Sequence, residues 1–169
     1  IEKHDDKTYH EHHQLVESSS LNLLTALGIS DDLDAFGNLG IYRYLEIYLM
    51  RSIPIEDIGL KVRANLSGRF GHFEANCKKY RNFLKIHTSR FKIAEDFFRQ
   101  YVKEINKKDD LYEKHNSGYL LIARQVYREN LKGTESLKEI CRNILKKEKD
   151  PFVIEFFTKV IVENERVIS

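Results

Sequence analysis

The sequence predicts an all-α protein built as a helical bundle, and three observations carry that prediction. Leu, Ile, Phe, Lys and Glu recur at spacings of three and four, the period of an amphipathic helix. No stretch sustains the alternation of a half-buried strand. Only two prolines and eight glycines punctuate the 169 residues, too few for a turn-rich β fold. A chain of this length forms one domain, or one domain with an appendage, and buries roughly 70% of its unfolded surface.

Taken in order, residues 1–13 are polar and hold four of the seven histidines. Leu15, Val16, Leu21, Leu23, Leu24 and Leu27 predict a helix over 14–27, ended by Gly28 as a C′ residue. A second helix is expected over 33–51, broken by Ser52-Ile53-Pro54. A short helix covers 55–66, and Gly68 and Gly71 mark a loop. From Glu74 to Tyr101 or beyond runs one long helix or two, with Ala94, Phe97, Phe98, Tyr101 and Ile105 as a core stripe. Lys107-Lys108-Asp109-Asp110 reads as a solvated helix end, and the charge-rich 103–116 stretch as an internal linker. Residues 117–132 are helical and stop at Gly133. Ser136 and Glu139 have the spacing of a capping box and start a helix carrying Leu137, Ile140, Cys141 and Ile144. Asp150-Pro151 places an N-cap before a proline at the first helical position, opening a last helix with Val153, Phe157, Val160 and Ile161.

Composition removes several classes. With 28 basic against 26 acidic residues the net charge of +2 exerts no global pull on nucleic acid or an anionic membrane. No apolar run approaches the ~20 residues of a membrane span, and no signal-peptide pattern opens the chain. Its start at Ile1 rather than Met reads as processing or an incomplete N-terminus. Cys77 and Cys141 lack CxxC spacing and read as small buried thiols of a reducing, cytoplasmic compartment, not as a disulfide or zinc framework. Lys78, Lys79, Arg81, Lys85 and Arg90, interleaved with Tyr80 and Phe83, read as a solvated helix face rather than a nucleic-acid surface. There is no phosphate-cradling glycine loop, no dinucleotide fingerprint and no nucleophilic Ser or Cys in a recognisable setting.

Two stretches carry candidate chemistry. The first is His4-Asp5-Asp6-Lys7-Thr8-Tyr9-His10-Glu11-His12-His13, whose imidazoles and carboxylates suit divalent ions such as Mn, Fe, Zn or Mg. Its bland reading is an exposed, histidine-rich chain start. The second is Asp31-Asp32-Leu33-Asp34-Ala35-Phe36-Gly37-Asn38-Leu39-Gly40-Ile41-Tyr42-Arg43-Tyr44, in which three carboxylates precede an apolar run. From the residues alone this is an acid-rich helix start, where the positive dipole end tolerates negative charge. Its sharper reading makes Asp31 a partner for the upstream histidines at a shared cation.

Residues 31–43, read as Asp-x-Leu-Asp-Ala-Phe-Gly-x-x-Gly-Ile-x-Arg, resemble the segment bearing the last metal-binding aspartate of the HD-domain metal-dependent phosphohydrolases. The likeness extends through Ile47-Tyr48-Leu49 and Ile53-Pro54-Ile55-Glu56 to Phe83-Leu84-Lys85-Ile86-His87-Thr88 and Lys92-Ile93-Ala94-Glu95, and so covers roughly residues 1–105. It implies an HD-like helical bundle over 1–105 with a C-terminal helical extension over 106–169. The extension reads by default as a cap or a homodimerisation piece.

The resemblance implies a divalent ion, Mn, Fe, Mg, Ni or Zn, held by a histidine of an early helix, an adjacent His-Asp pair and a later aspartate. Asp31 matches that last position. His4-Asp5 is the pair in one register, with Lys7 the basic residue that follows it. In the other, Ile1-Glu2-Lys3 is the tail of a signature that lies before the chain begins, and His12 and His13 serve a second ion. The sequence departs from the family in two places: no histidine-bearing helix precedes the pair, and the interval from His13 to Asp31 is short. The implied activity is hydrolysis of a small phosphorylated metabolite or nucleotide. Asp31, Lys3 and Lys7 serve the reaction and Arg43 meets the substrate, while His87 reads either as a further substrate contact or as a hydrogen-bonded packing residue. On a continuous helix Arg43 would lie about 18 Å along the axis from Asp31. The rival expectation is a helical binding or regulatory module of the same fold that lacks a full ligand set.

Overall fold

A computed structural model describes residues 23–106, 118–130 and 136–168, and every regular element within them is a helix. These are α1 (Leu23–Asp34), α2 (Gly37–Met50), α3 (Ile55–Cys77), α4 (Arg81–Asn106), α5 (Tyr119–Asn130), α6 (Leu137–Leu145) and α7 (Pro151–Ile168). The all-α expectation is met. The histidine-rich opening segment, the Lys107–Asp110 run and Gly133 lie outside the described residues.

Helix α2 is the hub. It packs on α4, α5 and α7 and touches α1 and α3, and every residue from Gly37 to Tyr42 is buried. Its apolar side chains Leu39, Ile41, Tyr42 and Leu45 sit in one core with Phe73 and Leu66 of α3, Phe98 and Tyr101 of α4, Ile122 and Val126 of α5, and Phe157 and Val160 of α7. The stripe expected on α4 is there: Ala94, Phe97, Phe98 and Tyr101 are buried, and Ile105 packs at its edge. Both cysteines are buried free thiols.

The caps read from sequence on the last two helices form as expected. Ser136 Oγ accepts from the Glu139 amide while Glu139 reaches back to the Ser136 amide. Asp150 Oδ1 accepts from the amides of Phe152 (2.9 Å) and Val153 (3.2 Å), which satisfies donors a helix start leaves open. Two caps come from distant helices instead. Glu163 of α7 accepts from the Leu39 amide (3.0 Å) and the Asn38 side chain (2.7 Å) at the start of α2. Glu104 of α4 accepts from the Tyr119 amide (2.9 Å) at the start of α5.

Helix boundaries differ from expectation in three places. Gly28 does not end a helix but lies buried inside α1. The segment expected as one helix over 33–51 is divided at Ala35-Phe36, because Gly37 takes φ +79°, a conformation open to glycine. Gly68 and Gly71 form no loop, since α3 runs through both to Cys77 and the break falls at 78–80. Each glycine inside a helix costs about 1 kcal/mol in propensity, and Ile58, Val62, Leu66 and Phe73 bury enough apolar surface on α3 to outweigh that.

Candidate functional site

The division of α1 from α2 rearranges the acidic stretch. Asp31, Asp32 and Asp34 lie in the last turn of α1, at the negative end of its dipole, and not at a helix start. Negative charge there is unfavourable by some tenths of a kcal/mol per group, and each carboxylate meets a basic side chain from another part of the fold. Arg69 of α3 donates to Asp31 Oδ2 (2.6 Å) and to the Asp31 carbonyl (2.8 Å). His72 Nδ1 lies 2.5 Å from Asp32 Oδ2. Arg43, brought back by the turn at Gly37, pairs with Asp34 at 2.6 Å.

These pairs are unequal. Asp32 is buried, with 7% of its side chain exposed, whereas Asp31 and Asp34 are about half exposed. The Asp32–His72 contact therefore ties α1 to α3 in a setting with little water to compete. The two surface arginine pairs are screened and each stabilises by 1 kcal/mol or less. Asn65 Oδ1 joins the group by accepting from the Tyr44 hydroxyl (2.8 Å) and Arg69 Nε (3.0 Å). Burial pushes the Tyr44 phenol well above its ordinary range, with Arg69 working the other way, so it acts as a neutral donor. Burial works against the Arg69 charge, but the neighbouring Asp31 carboxylate leaves its pKa raised overall.

The supporting residues share one stripe of α3. Asn65, Arg69, His72 and Asn76 follow at spacings of four, three and four, and the Asn76 side chain donates to the His72 carbonyl at 2.9 Å. From the sequence alone His72 has no nameable partner, and nothing singles out Asn65, Arg69 or Asn76. The signal was present in that spacing, but the loop expected at Gly68 and Gly71 cut the stripe in two.

A concavity of about 380 Å³ opens beside the acidic turn, lined among others by Asp31, Asp34, Arg43, Tyr44, Glu46 and Arg69. It brings together two residues singled out from sequence, Asp31 and Arg43. The 18 Å separation drawn on a continuous helix does not apply, because the chain reverses between them. His87 is not among the lining residues. It stands on α4 against the rings of Phe73 (5.7 Å) and Phe83 (4.4 Å), and its Nδ1 accepts from Arg90 at 3.2 Å. Burial, and next the Arg90 charge, hold its pKa below the ordinary value. Arg90 also donates to the Phe36 carbonyl at the α1–α2 junction (2.9 Å), so His87 supports that junction. Lys3, His4, Asp5, Lys7, His12 and His13 lie outside the described residues.

The described residues do not by themselves complete a metal centre. No group of three His, Cys, Asp or Glu side chains converges among them, and the Asp31 carboxylate is met by a guanidinium. Of the ligands implied by the resemblance only Asp31 falls within the described part, with the imidazoles left to the opening segment. No helix of the described residues is long and apolar enough to cross a membrane. No protein-family model matches the chain, and no curated protein or solved structure matches it either.

Proposed function

We propose that the chain is a metal-dependent phosphohydrolase of the HD type acting on a small phosphorylated metabolite or nucleotide, with Asp31 at its centre. The observation that supports this most is the company Asp31 keeps. It stands half exposed at the rim of a concavity that two guanidinium groups, Arg43 and Arg69, also line. Phosphoryl oxygens gain charge as a bond to phosphorus breaks, and fixed guanidinium forks are the groups that stabilise it. Each arginine is held in place by an aspartate, so a phosphate entering the concavity meets donors already oriented. The buried Tyr44 hydroxyl and Asn65 hold Arg69 from behind.

The implied ligand set, Asp31 with His4-Asp5 or with His12 and His13, offers the oxygen and imidazole donors that suit Mn, Fe, Ni, Zn or Mg. An ion bound there would supply a hydroxide at neutral pH. Chelator-stripped protein reloaded with each of these metals, then assayed for phosphate release from nucleotides and sugar phosphates, tests the reading. Metal-dependent release that falls at least a hundredfold in Arg69→Gln is expected. No release with any metal from folded protein overturns it.

A second reading, a helical binding or regulatory module of the same fold without catalysis, is favoured by the Arg69–Asp31 pair. A guanidinium is charged at every accessible pH, and it engages both a side-chain and a main-chain oxygen of Asp31. On that reading the acidic turn is a brace between α1 and α3, and the same assay gives no phosphate under any loading.

A further inference from the structure

A second cleft, sharing no lining residue with the Asp31 concavity, lies between α4 and α7 beside the start of α2 and encloses about 420 Å³. Its floor and walls are aromatic and aliphatic. Phe97 meets Phe156 (ring centroids 5.5 Å apart) and Tyr119 (5.0 Å), and Tyr119 meets Phe152 (4.9 Å). Ile41 and Ile93 also line it. Four linked rings with an open side make a surface on which a further flat ring packs by stacking or edge-to-face contact.

The polar groups of the residues lining this cleft are two amides, the Tyr119 hydroxyl and two charge pairs. Asn38 is 9% exposed, and its side-chain nitrogen is spent on Glu163 at 2.7 Å. That bond sets the amide's orientation and leaves its carbonyl oxygen, which takes no partner among the described residues. Gln100, half-buried in the lining, makes no hydrogen bond among the described residues, so its amide offers both a donor and an acceptor. Asp96 with Arg99, and Glu155 with Lys159, are paired within their own helices, so the mouth carries no net charge. An anion gains nothing there, while a flat molecule with an amide-like edge meets both groups it needs. Size agrees, since ligand clefts typically run from roughly 300 to 1,000 Å³.

We propose that this cleft binds a neutral planar heterocycle of the nucleobase type, stacked on the Phe97–Phe156–Tyr119–Phe152 wall. Its hydrogen-bonding edge is read by the Asn38 carbonyl and the Gln100 amide. Amides of Asn and Gln are suited to paired donor–acceptor edges of bases, and aromatic faces accept any base. An amino group on the heterocycle donates to the Asn38 oxygen, so adenine, guanine and cytosine fit. The assignment stands independently of the hydrolase reading.

Titration calorimetry with adenosine, guanosine and cytidine on the full chain tests it. At least one nucleoside is expected to bind saturably in the micromolar to millimolar range, with little dependence on salt. Ile93→Trp, at a partly exposed lining position, fills the cleft and weakens that binding at least tenfold, with folding checked by circular dichroism. Gln100→Leu preserves the shape and removes the edge contact, also costing about tenfold, and it decides alone if Ile93→Trp does not fold. Absence of binding by all three nucleosides up to their solubility overturns the proposal. So does a Gln100→Leu protein that binds as well as the unaltered chain.

Discussion

Gly40→Ala is the sharpest test of how α1 turns into α2. A Cβ built on Gly40 falls 2.3 Å from both the carbonyl carbon and the oxygen of Ala35, and 3.1 Å from its Cα. These are backbone atoms of the α1–α2 junction, where the Ala35 and Phe36 amides are already bonded to the Asp32 and Leu33 carbonyls, so no flexible side chain can swing away. Replacing glycine by alanine inside a helix gains about 1 kcal/mol in propensity. Overpacking against a fixed neighbour costs about 1–3 kcal/mol, and a clash with backbone belongs at the upper end. The net loss is about 2 kcal/mol, or a fall of about 4–8 °C in Tm for a chain of this size. Gly68→Ala in α3 is the matched control, because a Cβ there meets nothing within 4 Å. It is expected to gain about 0.5–1 kcal/mol. Urea and thermal unfolding followed by circular dichroism read both. A Gly40→Ala protein as stable as the unaltered chain would refute the reasoning.

Three further outcomes follow from the same geometry. Glu163→Ala strips the start of α2 of a carboxylate that accepts from Leu39 and Asn38 and should cost about 1–3 kcal/mol in urea unfolding; a change within error would mean water caps that helix equally well. His87, held below its ordinary pKa by burial and then by Arg90, takes a proton less readily folded than unfolded. Its contribution is complete above about pH 6.5 and is lost as pH falls from there through the lowered value. His87→Gln should therefore flatten part of the decline in stability between pH 7 and pH 5, and a parallel decline would refute this. Burial pushes the Cys141 thiol up to about 12, with Glu46 adding to the effect, and burial raises Cys77 as well. A thiol reagent at pH 8 should leave the native protein unlabelled and find both thiols in denaturant; fast native labelling would place them outside the core.

Much of the fold was legible because its signals are local. The capping box at Ser136–Glu139, the Asp150-Pro151 start and the Ala94–Tyr101 stripe need only neighbouring residues. The glycines were harder, because a glycine's role depends on what approaches it. Gly37 and Gly40 sit at a turn where one takes a positive φ and the other lies against backbone, whereas Gly28, Gly68 and Gly71 ride inside helices that tertiary packing maintains. Misplacing those breaks had a direct consequence for the site. It put the three aspartates at a helix start, where their charge needs no answer, and hid the α3 stripe that answers it. Asp31 and Arg43 were legible as individual residues, but the reversal that lets them line one concavity was not. The Asp32–His72 contact joins residues forty positions apart, and no local pattern announces it.

The central claim, that Asp31 belongs to a metal centre, is tested most directly by elemental analysis of the purified full chain beside its Asp31→Ala and Asp34→Ala variants. The account predicts stoichiometric Mn, Fe, Mg, Ni or Zn in the unaltered protein, kept in Asp34→Ala and lost in Asp31→Ala. A folded chain that takes up no ion at any loading, or an Asp31→Ala variant that keeps its full complement, would contradict it.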